Sequence, residues 1–195
     1  MSTDQSFRSG ILEHFPHNSV GAEIGVWKGE WASFVNDAIN PKKYYLLDPW
    51  KFLPPVTRGD LDKWYRGAIA KSQEDMDDIY KDVCSMFKDS ENIEVIRTRS
   101  EHAEQYINQD ELDWMYIDGD HSYEAVTKDL EISFRLVKSG GLITGDDANP
   151  DFVLTVKGWM HTSVYAALTD WIEKRQTQIS VITLGEGRQF VFRKV

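Results

Sequence analysis

A single cysteine, Cys84, serves a chain of 195 residues, so no disulfide framework can form within it. A reducing compartment is the expected setting. No apolar run approaches the roughly 18 residues that a membrane-crossing helix needs. The opening MSTDQSFRSGILEHF lacks the basic start and apolar block of a signal peptide, which makes a cytoplasmic protein the expectation. Basic residues are also scarce: 22 Lys and Arg face 32 Asp and Glu, leaving a formal charge of −10. Phosphate backbones are held by basic surface, so nucleic acid is not the expected partner and a small molecule or neutral sugar is. Internal repeats, low-complexity tracts and long linkers are lacking too. What remains is ordinary soluble composition, 41% hydrophobic and 28% charged, and the expectation is one domain over residues 1–195.

Apolar and amphipathic runs alternate along the chain, the signature of an α/β architecture. A helix is expected near residues 4–14, then strands in SVGAEIGV (19–26), KYYLLD (43–48), IEVIRT (93–98), LDWMYID (112–118) and GGLITGDD from 141. Helices are expected in EWASFVNDAI, around Cys84, from Ser100, and after Asp120, the last carrying Tyr123, Val126, Leu130, Phe134 and Val137 on one face. Cys84 falls in the periodic run Met76, Ile79, Tyr80, Val83, Phe87 and reads as a helix-core residue rather than a nucleophile. A helix in SVYAALTDWIEK precedes two β-rich runs around a glycine-containing turn, hence a closing hairpin. The aromatic, proline-bearing segment 50–72 is expected to cover a ligand site.

Ligands of such sheets bind at the carboxyl ends of the strands. The first strand runs into EIGVWKGEW, where Gly25 permits a sharp turn and close approach to a ligand, and Gly29 lets the next helix start near the sheet. Trp27 stands where a dinucleotide fingerprint would carry a glycine, which argues against a pyrophosphate and against a dehydrogenase. The second strand ends at Asp48, an acid placed to accept hydrogen bonds from ribose hydroxyls. Together these features point to a nucleoside cofactor without requiring phosphates.

EIGVWKGEW, LLDPW, YIDGDHSYEAV and GGLITGDD, in this order and spacing, resemble a class I S-adenosylmethionine-dependent methyltransferase. The closer likeness is to small-molecule O-methyltransferases of the macrocin and catechol type. The resemblance covers about residues 15–195 and implies a Rossmann-like, seven-stranded, mostly parallel sheet with an antiparallel C-terminal hairpin. It implies S-adenosylmethionine as cofactor, with Glu23 near its ammonium, Gly25 beneath the methionine portion, Asp48 on the ribose and Asp118 close by. Ser100 corresponds to a contact with the adenine edge, a role compatible with capping the helix it begins.

Asp118, Asp146 and Asp147 end adjacent strands, about 4.8 Å apart, so their carboxylates can converge on one hard cation such as Mg²⁺, Mn²⁺ or Ca²⁺. The metal-dependent relatives hold their ion at these positions; the alternative is that Asp146 and Asp147 only cap a loop. Such an ion would orient a vicinal diol or catechol and acidify its hydroxyl. His121 and Asp120 are both candidates for the base, His121 standing where the catechol enzymes carry a lysine. Trp50, Trp159 and His161 are candidate substrate contacts, and a homo-oligomer is compatible with the aromatic loops. A metal-free enzyme using His121, and a non-catalytic cofactor-binding module, remain alternatives.

Overall fold

The computed structural model describes residues 9–52, 70–148, 164–185 and 188–195. Seven strands, β1 (Val20–Ile24), β2 (Lys43–Asp48), β3 (Ile93–Arg97), β4 (Leu112–Ile117), β5 (Val137–Gly145), β6 (Ile179–Leu184) and β7 (Phe190–Lys194), form one sheet in the order β3-β2-β1-β4-β5-β7-β6. The first five are parallel; β7 runs antiparallel to β5, and β6 antiparallel to β7. This is the sheet expected from the sequence, closing hairpin included. Strand order reverses between β1 and β4, so a crevice opens there at the carboxyl ends.

The central strands are apolar at nearly every position because both faces of the sheet are covered. Successive side chains point to opposite sides. Tyr44, Leu46, Trp114 and Tyr116 therefore pack on one face with α1 (Glu30–Ile39) and α2 (Gln73–Met86). Tyr45, Leu47, Met115 and Ile117 pack on the other with α3 (Tyr123–Leu136) and α4 (Val164–Lys174). Gly21 is needed on the first face: a Cβ there would lie 2.1 Å from the Trp114 indole.

Helix starts follow local chemistry. The Ser72 and Ser122 hydroxyls accept the backbone N–H of Asp75 and Ala125, capping α2 and α3. Three expectations shift. The described part of the opening segment is a 3-10 turn, Ser9–His14, rather than an α-helix. Val137 leaves the helix face and begins β5 directly, with a bulge between its pairing to Leu112 and that of Leu142 to Trp114. Cys84 is half-buried rather than core. Among the described residues no helix is long and apolar enough to cross a membrane.

Candidate active site

The turn after β1 lies against the end of β4. Gly25 has a φ of 91°, and a Cβ at this position would sit 2.1 Å from the Asp118 carbonyl oxygen. Only glycine permits both the left-handed backbone and that approach. Gly29, at the N-terminus of α1, has a φ of 76° and faces Phe87 of the α2 end. Trp27 also adopts a left-handed backbone, with φ 52°, a conformation uncommon for a bulky residue.

That backbone is held by Asp48. One carboxylate oxygen accepts the Trp27 N–H at 3.0 Å and the other accepts the Trp50 N–H at 2.7 Å. Burial raises the Asp48 pKa, against the lowering effect of these N–H groups and of Arg97. A carboxylate offers about four lone-pair positions, so a ribose contact is compatible with both bonds. Trp50 itself does not face an acceptor. Its ring is fully buried against Tyr80, and its indole N–H donates to the Trp27 carbonyl at 2.8 Å. It locks the first two strand-end turns together from behind.

Glu23 points from β1 into the aromatic face and is 1% exposed, accepting the Tyr44 hydroxyl at 2.5 Å. Burial and then Glu23 push the Tyr44 pKa well up, so this hydroxyl stays a donor. Ser100 opens the 3-10 segment Ser100–Gln105, whose preceding residue is Arg99. The N-cap position falls on Arg99, and no side chain caps the turn.

At the ends of β4 and β5 the structure gathers Asp118, His121 and Asp147. His121 Nε2 lies 3.3 Å from Asp118 Oδ1, and Nδ1 lies 3.1 Å from Asp147 Oδ2. Burial would lower the His121 pKa, but the hydrogen bond it donates to Asp118 and the charges of Asp118, Asp146 and Asp120 outweigh it and raise the pKa. Arg188, at the corner before β7, places its guanidinium on Asp147. Repulsion between the Asp118 and Asp147 carboxylates is thus relieved by Arg188 and, when it is protonated, by His121.

Asp146 sits beside this trio but turns away. It is buried, and its Oδ1 accepts the Gln189 amide at 2.5 Å and the Asp147 N–H at 2.7 Å. Tyr116 donates in turn to Gln189 at 3.4 Å. Asp120 is exposed, and its Oδ1 accepts the Ser122 N–H at 2.8 Å, shaping the entry to α3. One donor atom each from Asp118, His121 and Asp147 lies within 4.8 Å of the others, a set that fits a divalent cation. The grouping differs from the expected carboxylate trio in having His121 where Asp146 was foreseen, because Gln189 holds Asp146 inward. An imidazole beside two carboxylates suits Mn²⁺ at least as well as Mg²⁺.

Three residues here escaped the sequence reading. Arg188 and Gln189 reach the site only because β7 pairs with β5, and no local pattern announces that. Asp129 did leave a signal: an acid on the apolar stripe of α3, between Val126 and Leu130. Trp159, His161 and most of segment 50–72 lie outside the described residues.

Residues 22–148, from β1 through Asp147, match a family model described as "Methyltransferase domain". No curated protein matches the chain in sequence. Among solved structures, the O-methyltransferase NovP is 17% identical, with a TM-score of 0.59 over 98% of this chain and 77% of that one. The N-methyltransferase NodS from Bradyrhizobium japonicum WM9, in complex with S-adenosyl-L-homocysteine, is 13% identical with a TM-score of 0.58, over 98% and 85% of the two chains. Fibrillarin from Aeropyrum pernix, with natively bound S-adenosyl-L-methionine, is 17% identical with a TM-score of 0.51, over 91% and 66%. These likenesses concern the fold and span different acceptors. With the seven-stranded sheet, the strand-end turns and a family match over most of its length, the chain belongs to the class I S-adenosylmethionine-dependent methyltransferases.

Proposed function

We propose that this methyltransferase acts on a hydroxyl of a small molecule, a sugar diol or catechol-like compound, with His121 as the base. S-adenosylmethionine, when bound, supplies an electrophilic methyl group on sulfur. The observation that carries the reading is the imidazole of His121 bracketed by Asp118 and Asp147 at the switch-point crevice. With both nitrogens donating to carboxylates the ring is an imidazolium, so it becomes a base only once Nδ1 gives its proton to solvent and leaves its carboxylate partner. Asp147 is the partner released at least cost, since Arg188 already neutralises it. Nδ1 then takes the acceptor's proton while Asp118 keeps Nε2 and the ring orientation, an arrangement suited to general-base catalysis. Gly25 leaves room for the cofactor chain, and Asp48 keeps the neighbouring turns rigid.

Asp118 and Asp147 would hold a divalent cation, whose charge lowers the pKa of a bound hydroxyl. The metal-free reading has its own support, because His121 and Arg188 already balance these carboxylates. The test begins with calorimetry of S-adenosylhomocysteine; a chain that does not bind it refutes the proposal. Methyl ether formation on diols and catechols, lost in His121→Gln, is the expected result. Tight binding without transfer to any acceptor would reduce the protein to a cofactor-binding module. Mn²⁺ titration should give one site that disappears in Asp147→Asn; full activity in excess EDTA would select the metal-free reading.

A further inference from the structure

The loop that follows β5 is fastened to the corner before β7 at three points, and the chemistry proposed above uses only one of them, the Arg188 guanidinium on Asp147. One residue further on, the Ala148 N–H donates to the Arg188 carbonyl at 2.8 Å. One residue back, the Gln189 amide donates to Asp146 Oδ1 at 2.5 Å. Gln189 and Asp146 are both buried, and the buried Tyr116 hydroxyl donates to the other end of the Gln189 amide. This orients the amide, with its nitrogen on the carboxylate and its oxygen on the phenol. The polar chain ends on a backbone group: the same Asp146 oxygen accepts the Asp147 N–H at 2.7 Å.

Asp147 has a φ of 59°. Aspartate enters the left-handed region only as an isolated residue and at some cost, so its backbone there needs support from its surroundings. That support lies on both sides: the N–H before the Asp147 α-carbon goes to Asp146 and the N–H after it goes to Arg188. The turn aims the side chain, whose Oδ2 lies 3.1 Å from His121 Nδ1. We infer that Gln189 and Asp146 are positioning residues for the base: Gln189 fixes the Asp146 carboxylate, Asp146 fixes the left-handed turn at Asp147, and that turn holds the Asp147 carboxylate beside His121. This rests on His121 serving as the base. As Nδ1 takes the acceptor's proton the ring becomes cationic, and a carboxylate already fixed beside it stabilises the charge as it forms. Arg188 alone does not fix that carboxylate, because its side chain is 42% exposed and can follow Asp147 if the turn relaxes.

The test compares Gln189→Leu, Asp146→Ala and Asp146→Asn with the wild type, by crystal structures and by methyl-transfer kinetics on diols and catechols. Asparagine keeps an oxygen that accepts both N–H groups, so it separates the hydrogen bonds from the charge. Gln189→Leu and Asp146→Ala should each lower kcat about tenfold, the scale of a misplaced group beside the reacting atoms, with the KM for S-adenosylmethionine within about twofold. Asp146→Asn should recover most of that loss. In the crystals the first two variants should show the Asp147 carboxylate off His121, and Asp146→Asn should show it in place. The two losses should not add in the double variant, because both act through one bond to Asp147. Where Gln189→Leu does not fold, Asp146→Ala carries the same comparison. Asp147 still on His121 in a folded Gln189→Leu or Asp146→Ala, or Asp146→Asn as impaired as Asp146→Ala, overturns the inference. Absence of methyl transfer by the wild type would instead overturn the proposed function on which it rests, and the crystal structures still decide whether Gln189 and Asp146 hold Asp147.

Discussion

Replacing Asp129 with asparagine should make the protein more stable at alkaline pH and nearly indifferent to the change at acid pH. Burial raises this carboxyl from 3.8 to about 7; the Ser100 hydrogen bond and His121 oppose that, while Asp120 and Glu101 add to it. A shift of about 3 units at about 1.36 kcal/mol each corresponds to on the order of 4 kcal/mol between ionised and neutral Asp129. The sign follows from proton uptake. The folded state holds this proton more tightly than the unfolded chain, so the stabilisation is complete below pH 3.8 and lost as pH rises through about 7. Between pH 6 and 8.5 the wild type should lose about 1.4 kcal/mol through this group. Asparagine is neutral throughout and nearly the same in size and shape. At pH 8.5 the variant should therefore exceed the wild type by a few kcal/mol, about 10 °C in melting temperature for a chain this size. Urea titrations of both proteins at pH 6 and 8.5, compared pairwise, remove the contributions of all other groups. A difference that does not grow with pH, or a variant less stable than wild type at pH 8.5, would refute the argument.

His121→Gln should lower methyl transfer by about 10² or more while leaving S-adenosylhomocysteine affinity within a few-fold, as measured by single-turnover assay and calorimetry. Because Asp118 and the surrounding acids raise the His121 pKa, the rising limb of the wild-type pH–rate profile should lie above 6.5; a limb below that value contradicts the geometry. Gly25→Ala should abolish measurable cofactor binding, since its Cβ meets the Asp118 carbonyl at 2.1 Å and its backbone is left-handed; retained binding by calorimetry would show that the turn adapts. Trp50→Ala should cost about 3–5 kcal/mol of stability by emptying a fully buried site. In any folded fraction it should act through the cofactor turns, so acceptor KM moving alone would contradict its placement.

Much of the architecture was open to direct reading, for physical reasons that can be traced to residues. YLL and WMYI are apolar at every position because helices cover both sheet faces, and such runs stand out from the amphipathic helices between them. The FVF run of the closing strand and the glycine before it announced a hairpin, and the sheet has one. Boundaries were less legible: VKSGG carries helix and strand signals at once, and the break was decided by a bulge opposite Leu112. Ser100 looked like a cap because serine caps turns locally, but the cap position falls on Arg99 and no side chain caps the turn.

The sequence by itself determined the order of strands and helices, the glycine-dependent turn at Gly25 and the acids at the strand ends, since each depends on chain periodicity or on residues a few positions apart. Only the tertiary structure decided which of those acids face one another. Arg188 and Gln189 come 41 and 43 residues after Asp147 and Asp146, respectively. They meet these acids because antiparallel pairing lays β7 beside β5. That pairing turns Asp146 inward to Gln189 and leaves Asp147 to Arg188 and His121, while Asp129 is buried only once α3 has packed on the sheet. Charge balance at the site is a sum over contacts between distant segments, and no local pattern encodes that sum.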